Sequence, residues 1–431
     1  MLPAAVLVAD YAGTLDLLDR TEVRLRTTQE LAAPPGLATN AVTALGLDLF
    51  TQPTIRLGVL DRRWSFGVSY APSFTFPDLE LGFTPTILHV GDAHASWHDR
   101  DYTFALTQGA SYGQLNGAYI APQTAQQPIP GQPPAITATP APVTVDYLAS
   151  RSVASIGVRL DRRNQVTASG EYDVVGGTNT ASRVTVPEQY GPRANATYEY
   201  LASHRDAFLT AALFQSTDFL GLQCLPTNGD PTAVFSCSPS ARMFEVSEAL
   251  RHRITRRATI SAGAGFAAAV WRMQPNEAFQ TTYYPTGEAL FSLDFARPSE
   301  EGFGTPPAQG GAADEAIVAT SLRISSRLAP LVDIRTGNVY NAVAAEGSLI
   351  VPASMRVAFR AGGGFLQYLP TGSAGAVSLV HSEAEVDFAA DRYVTLSLGE
   401  RGIWQEQNGF GTFISSYGFL AVTLREPRFT F

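Results

Sequence analysis

Lysine is missing from this sequence: all 30 basic residues are arginine. No functional reading attaches to that absence by itself. Charge is scarce overall, at 16 % of residues against roughly 25 % for a typical soluble domain. A chain of 431 residues folded in water would carry more, whereas one whose outer surface faces lipid need not. Long apolar runs are also lacking. A spanning helix needs about 20 mostly apolar residues, and the most apolar stretch, Ser261 to Val270, is preceded by Arg256 and Arg257 and followed by Trp271 and Arg272. A helical membrane protein is thereby excluded, and in lipid the remaining way to satisfy the backbone is a closed barrel. The net charge of −9 argues against a nucleic-acid partner. The two cysteines are too few for a structural zinc site, which almost always takes four ligands.

What is present is alternation. Trp64, Phe66, Val68, Tyr70, Phe74 and Phe76 fall on one face of a strand, with Ser65, Gly67, Ser69, Ser73 and Thr75 on the other. Val166, Ala168, Gly170, Tyr172 and Val174 alternate with Thr167, Ser169, Glu171 and Asp173. Near the C-terminus Val380, Ala384, Val386 and Phe388 alternate with Glu383, Glu385 and Asp387, and Ile414, Leu420, Val422 and Leu424 share a face. A period of two over about ten residues marks a barrel strand with one face on lipid and one on a polar interior.

Short turns punctuate these runs at 60–64, 97–102, 160–164, 203–206, 252–256, 325–330, 351–355 and 389–393. Longer connections lie between them at 121–142, 176–193, 218–241 and 272–314, the last including the run 287–295 as part of an external excursion. Short turns on the periplasmic side and long loops outside are the up-and-down arrangement. The expectation is all-β: a transmembrane antiparallel barrel of about 16–18 strands, with 18 the better count and both termini periplasmic. Pro53 must sit at a bulge or an edge-like distortion. Residues 13–431 read as one barrel domain. Residues 1–12 stay open between a signal-peptide remnant and a flexible N-terminus.

Over nearly its whole length the sequence resembles bacterial outer-membrane β-barrel proteins of the porin-like class. The closing stretch 412–431 looks like their terminal strand, with Phe431, and Phe429 two before it, in the place of the C-terminal aromatic assembly signal. Pro427 departs from that pattern. The resemblance implies the outer membrane of a Gram-negative bacterium, contact with outer-membrane lipid, dependence on the barrel-assembly machinery, and a homo-oligomer as an option.

Alternation directs a set of charges inward. The acidic candidates are Glu171, Asp173, Glu199, Glu245, Asp333, Glu383, Glu385 and Asp387. The basic ones are Arg56, Arg159, Arg251, Arg253, Arg323, Arg335, Arg356 and Arg360. They either line a wet channel or stiffen a polar interior. Glu383, Glu385 and Asp387 form a stripe that would attract cations unless arginines face it. Cys224 and Cys237 fall in one external loop and are expected to pair in an oxidising compartment. His94 and His98 stand about 13 Å apart along a strand, too far to share a metal, and no cofactor or metal is expected. No nucleophile elbow, phosphate-binding loop or HExxH motif occurs, so no enzyme is expected. The functional expectation is a channel for small polar solutes or ions, with cation preference. The alternatives are a structural or surface-binding barrel, with 121–142 and 297–314 as contact surfaces, and the barrel of a secretion or lipid-export assembly.

Overall fold

In the computed structural model the described residues are 12–30, 43–77, 79, 85–116, 144–220, 222–224, 235–272, 274–294, 321–332, 339–354, 356–369, 377–407, 411–426 and 429–430. They build one antiparallel wall of eighteen strands. In chain order these are β1 (Ala12–Glu30), β2 (Thr43–Leu60), β3 (Trp64–Tyr70, resuming at Ser73–Phe76), β4 (Thr86–His98), β5 (Tyr102–Asn116) and β6 (Thr144–Arg159). Next come β7 (Asn164–Gly177), β8 (Glu188–Leu201), β9 (Asp206–Leu220), β10 (Ser240–Arg253), β11 (Ala258–Arg272) and β12 (Gln280–Asp294). The last six are β13 (Ser321–Val332), β14 (Val339–Pro352), β15 (Val357–Leu369), β16 (Val377–Ala389), β17 (Val394–Gln407) and β18 (Gly411–Arg425, with Phe429–Thr430 beyond it). Each strand pairs with the next. The wall closes because β1 also pairs with β18, Leu18 opposite Arg425 through Glu30 opposite Phe413. The higher of the two strand counts is therefore the right one.

Register and exposure assign the two faces. On β2 and β3, Ile55, Leu57, Val59, Trp64, Phe66 and Val68 are exposed and share the outer face. The same face carries Phe104, Ile156, Phe208, Phe244, Phe266, Leu398 and Leu420 further round. These apolar side chains have no protein to bury them, which is stable only against lipid.

The short turns form one end of the cylinder, the periplasmic end by the usual rule. Several close by the same local device. A side-chain oxygen at the first turn position accepts the backbone N–H groups two and three residues on, as in Asx and ST turns. Asp161 accepts from Arg163 and Asn164 at 2.7 and 2.9 Å, and Asp391 from Tyr393 and Val394 at 2.6 and 2.9 Å. Ser203, Thr255 and Ser354 do the same with hydroxyls. The Arg163 N–H first of all, then the Asn164 side chain, holds the Asp161 carboxyl below the usual carboxylate range.

Pro53 sits where a missing donor does least harm. It lies opposite Asp19 on one side. On the other, β3 is interrupted between Tyr70 and Ser73, so pairing skips from Ile55–Tyr70 to Thr51–Phe74. The expected bulge is therefore in the neighbouring strand. At the seam β18 stops at Arg425, and among the described residues Phe429 and Thr430 re-pair with Leu15 and Thr14; Pro427 lies outside the described residues.

Three sequence readings need correction. Residues 325–330 are no turn but the middle of β13, where Leu322, Ile324 and Leu328 share the outer face opposite Leu349 and Val343. The Ser-Ser and Pro that suggested a turn are tolerated because alternation continues through them. Residues 287–294 belong to β12, paired with β11 along their length, not to an external excursion. The connection 295–320, and with it the expected contact surface 297–314, lies outside the described residues. The stretch 176–193 is no loose connection: it ends β7 at Gly177, forms a short helix α1 (Thr180–Thr185) and begins β8 at Glu188. Residues 121–142, 1–11 and Phe431 lie outside the described residues.

Candidate functional site: the inner wall

The inner face is two-tiered. Toward the external end it is apolar. Leu331, Leu366, Tyr368, Leu379 and Ile403 form one buried cluster, and Phe219, Met243, Ala269 and Tyr284 another. A third joins Leu88, Leu115, Val145 and Tyr147 to Val186, which follows α1. Helix α1 is latched to β6: Asn179 caps it by accepting from the Ser182 N–H at 2.8 Å, and Ser182 Oγ accepts from the Asp146 N–H at 3.0 Å. The connection 178–187 thus folds onto the inside of the wall and covers the external ends of β4 to β7.

Below this tier the wall carries paired charges of both signs. On β1, Arg20 donates to Glu22 at 2.6 Å and Arg24 donates to Glu22 at 2.7 Å. Arg26 donates to Asp48 of β2 at 3.2 Å. Glu22 is 2 % exposed and Asp48 is 0 % exposed, so these charges are stable only because they are paired. Aromatic rings back the guanidinium groups: Arg24 lies 3.8 Å from the Phe50 ring centroid, and Arg401 5.4 Å from that of Phe419. A second arc runs from β6. Arg151 binds Glu171 at 2.9 Å and Asp173 at 3.8 Å, Arg251 binds Glu199, and Arg327 reaches Glu245 at 2.7 Å from β13.

The stripe on β16 is neutralised. Glu385 meets Arg20 at 3.0 Å and Arg401 at 3.9 Å, Glu383 meets Arg401 at 3.7 Å, and Asp387 meets Arg360 at 3.1 Å while accepting from Ser397. Glycines make room for this. A Cβ on Gly362 would lie 2.7 Å from Glu383 Oε1, and one on Gly364 would meet both His381 and Glu346. The carboxylates that were expected to draw cations are therefore spent on arginines.

Most of the expected interior residues are inner-facing strand positions. Glu171, Asp173, Glu199, Glu245, Arg251 and Arg360 join the paired belt, as the β16 carboxylates do. Arg56 and Arg323 are on the same face. Arg159 and Arg253 are the last residues of β6 and β10, exposed at the periplasmic rim. Arg356 is corrected: it occupies the exposed turn before β15, with its N–H bound to Ser354, and lines no strand. Asp333 and Arg335 lie outside the described residues, as do the side chains of Cys224 and Cys237. The backbones of Leu222–Cys224 and Phe235–Cys237 pair as a small antiparallel hairpin.

The β1 charges and Arg151, Arg327 and Arg401 were not anticipated. The signal was available in the first case. Arg20, Glu22, Arg24 and Arg26 stand at a spacing of two, which is as clear a ladder as Glu383, Glu385 and Asp387. Arg327 reaches Glu245 from β13 to β10, past two intervening strands, and Arg401 meets Glu383 only in the register that sets them opposite each other; no local pattern carries either.

The chain matches the model of the EpsX exopolysaccharide export family over residues 8–418. No curated protein sequence matches. Among solved structures, it is similar to the FrpB iron transporter from Neisseria meningitidis (F3-3 variant), at 9 % identity and a TM-score of 0.44, covering 91 % of this chain and 62 % of that one. The chain thus spans less than two thirds of the length of FrpB. It is similar to Pseudomonas aeruginosa OccK3 (OpdO) at 10 % identity and a TM-score of 0.42, covering 95 % of this chain and 96 % of that one. With Pseudomonas aeruginosa OpdK the identity is 9 %, the TM-score 0.42, and the shares covered 96 % and 99 %.

Proposed function

The chain belongs to the EpsX exopolysaccharide export family, and from that premise we propose that its barrel is the outer-membrane conduit through which an exopolysaccharide leaves the cell. The observation that carries this reading is the paired belt on the inner wall. A sugar polymer in transit must exchange many hydrogen bonds with the wall without being held by any. Sites along a conducting path work when binding favours admission yet stays weak and multiple enough for release. Where the pairs are part exposed, as at Arg251–Glu199 and Arg360–Asp387, guanidinium and carboxylate groups already bound to each other keep spare donors and acceptors for hydroxyls. They offer little net charge to trap a polymer or a layer of counterions. This reading moves weight away from passive passage of small polar solutes with cation preference and toward the barrel of an export assembly.

Deletion of the gene, with complementation by the full chain, tests it. Loss of cell-surface polysaccharide with polymer accumulating in the periplasm is the expected outcome, restored by the native chain. Unchanged surface polysaccharide in the deletion strain would sink the reading.

A further inference from the structure

Each of the described short turns at the periplasmic end bears an exposed arginine: Arg62, Arg100, Arg162, Arg205, Arg256, Arg356 and Arg392. This runs against the sign of the whole chain, whose net charge is −9. We propose that this ring captures a polyanionic, carboxylate-bearing polysaccharide at the periplasmic mouth, an inference that rests on the export reading and names the class of its substrate.

In four of these seven turns no carboxylate among the described residues binds the arginine, although Arg392 lies 4.6 Å from the Tyr393 ring centroid; the turns at 61–63 and 99–101 also carry Asp61, Asp99 and Asp101. In the turns at 160–163 and 390–393 the aspartate is spent on backbone N–H groups. In the turns at 254–257 and 353–356 a neutral hydroxyl closes the turn, and the turn holds no acidic residue. A guanidinium matches a carboxylate with two parallel hydrogen bonds. Singly, exposed contacts of this kind are weak and screened by salt. Repeated around a mouth, they raise the local concentration of a multivalent anion and still let each sugar unit move on.

The anionic leaflet is the competing partner, and the direction of the charge disfavours it. At the periplasmic ends of β6 and β10 the inner positions are Arg159 and Arg253, both exposed. The adjoining positions that continue the bilayer-facing side are Leu160 and Ile254. From Arg253 the charge steps inward to Arg251, paired with Glu199. The ring leads into the lumen, not onto the headgroups.

The test uses the full-length barrel in phosphatidylcholine nanodiscs, with polygalacturonate as acidic probe and dextran as neutral probe. Binding is read at about 50 and about 500 mM salt, for the native chain and for the triple variant Arg162→Gln, Arg256→Gln, Arg392→Gln. Heat-modifiable migration on gels verifies that the variant is folded. The expected result is that polygalacturonate binds the native barrel and loses about tenfold in affinity in the variant, and again at high salt, while dextran responds to neither change. Equal polygalacturonate binding by both proteins overturns the proposal, as does binding no stronger than that of dextran. So does a variant effect that arises only when phosphatidylglycerol is added to the discs. Dextran binding alone would leave the export reading standing and remove only the acidic specificity, because that reading is judged separately by surface polysaccharide in the deletion strain.

Discussion

Arg24 rests its guanidinium on Phe50, 3.8 Å from the ring centroid, while donating to Glu22 on its own strand. Both charged side chains of that pair are 3 % exposed. Stranding one member of a buried pair costs about 3–5 kcal/mol; removing Arg24 leaves Glu22 with Arg20 alone, which puts the loss toward the lower end of that range. Arg24→Ala is therefore expected to lower the urea midpoint of the barrel in lipid vesicles well beyond the effect of Phe50→Leu. Equal, small shifts for both would mean that solvent reaches Glu22.

The belt on β16 gives a prediction of opposite sign to the one its sequence suggests. Glu385 is held by Arg20 and Arg401. Glu385→Gln leaves Arg20 on Glu22 and Arg401 on Glu383 but removes one negative charge from the inner wall, and it should shift the reversal potential of reconstituted protein toward anions. If the native barrel is strongly cation-selective and the variant merely loses that selectivity, the carboxylate was not neutralised as the geometry has it.

On the outer wall, Glu248 stands between Val246 and Leu250, in a notch of about 480 Å³ lined also by Phe208, Thr210, Ala262 and Ala264. A charge on the lipid face costs more the deeper it lies, less for carboxylates than for Arg or Lys. Glu248→Leu should raise unfolding stability in vesicles by about 1 kcal/mol. A loss of stability would show that the carboxylate has a partner in the membrane.

Asp161 supplies a pH dependence outside the bilayer. Its carboxyl is held below the ordinary value of 3.8 by the N–H groups it accepts. A depressed folded-state pKa gives stability that is present above the unfolded value and lost as pH falls through the folded one. The protection factors of the Arg163 and Asn164 amides should stay high at neutral pH and fall only below about pH 4. Asp161→Ala should make them low throughout, and high values in that variant would assign the protection to the strands alone.

Cys224 and Cys237 are expected to be joined, and non-reducing peptide mass spectrometry of protein from intact cells reads this directly. Closing a loop of that size stabilises by about 3 kcal/mol in the chain-entropy picture. Alkylation of both thiols without prior reduction would refute the pairing.

The barrel was legible because its signal is local and repeated. Trp64, Phe66 and Val68 against Ser65 and Gly67 state which side is wet without knowledge of any neighbour. The count of eighteen came from adding such runs, and the turn residues marked their ends. The errors fall where two local signals conflict. Ser325, Ser326 and Pro330 look like a turn, yet Leu322, Ile324 and Leu328 keep their alternation, and burial against β12 and β14 decides in favour of a strand. Register was not legible. Arg401 meets Glu383 from one strand and Tyr417 from another, relationships that exist only once register is set.

The seam between β1 and β18 sets the order of assembly. Every other pairing joins consecutive strands and can form as a hairpin while the chain is still arriving. Leu18 can meet Arg425 only after all the intervening wall is laid down, a contact of extreme sequence separation and correspondingly slow. Until then the nascent sheet keeps two bare edges able to accept a foreign strand. Arg20 reaches across that seam to Glu385 on β16, so this one bond is absent from every unfinished intermediate. It acts as a clasp, slowing reopening more than it speeds closure.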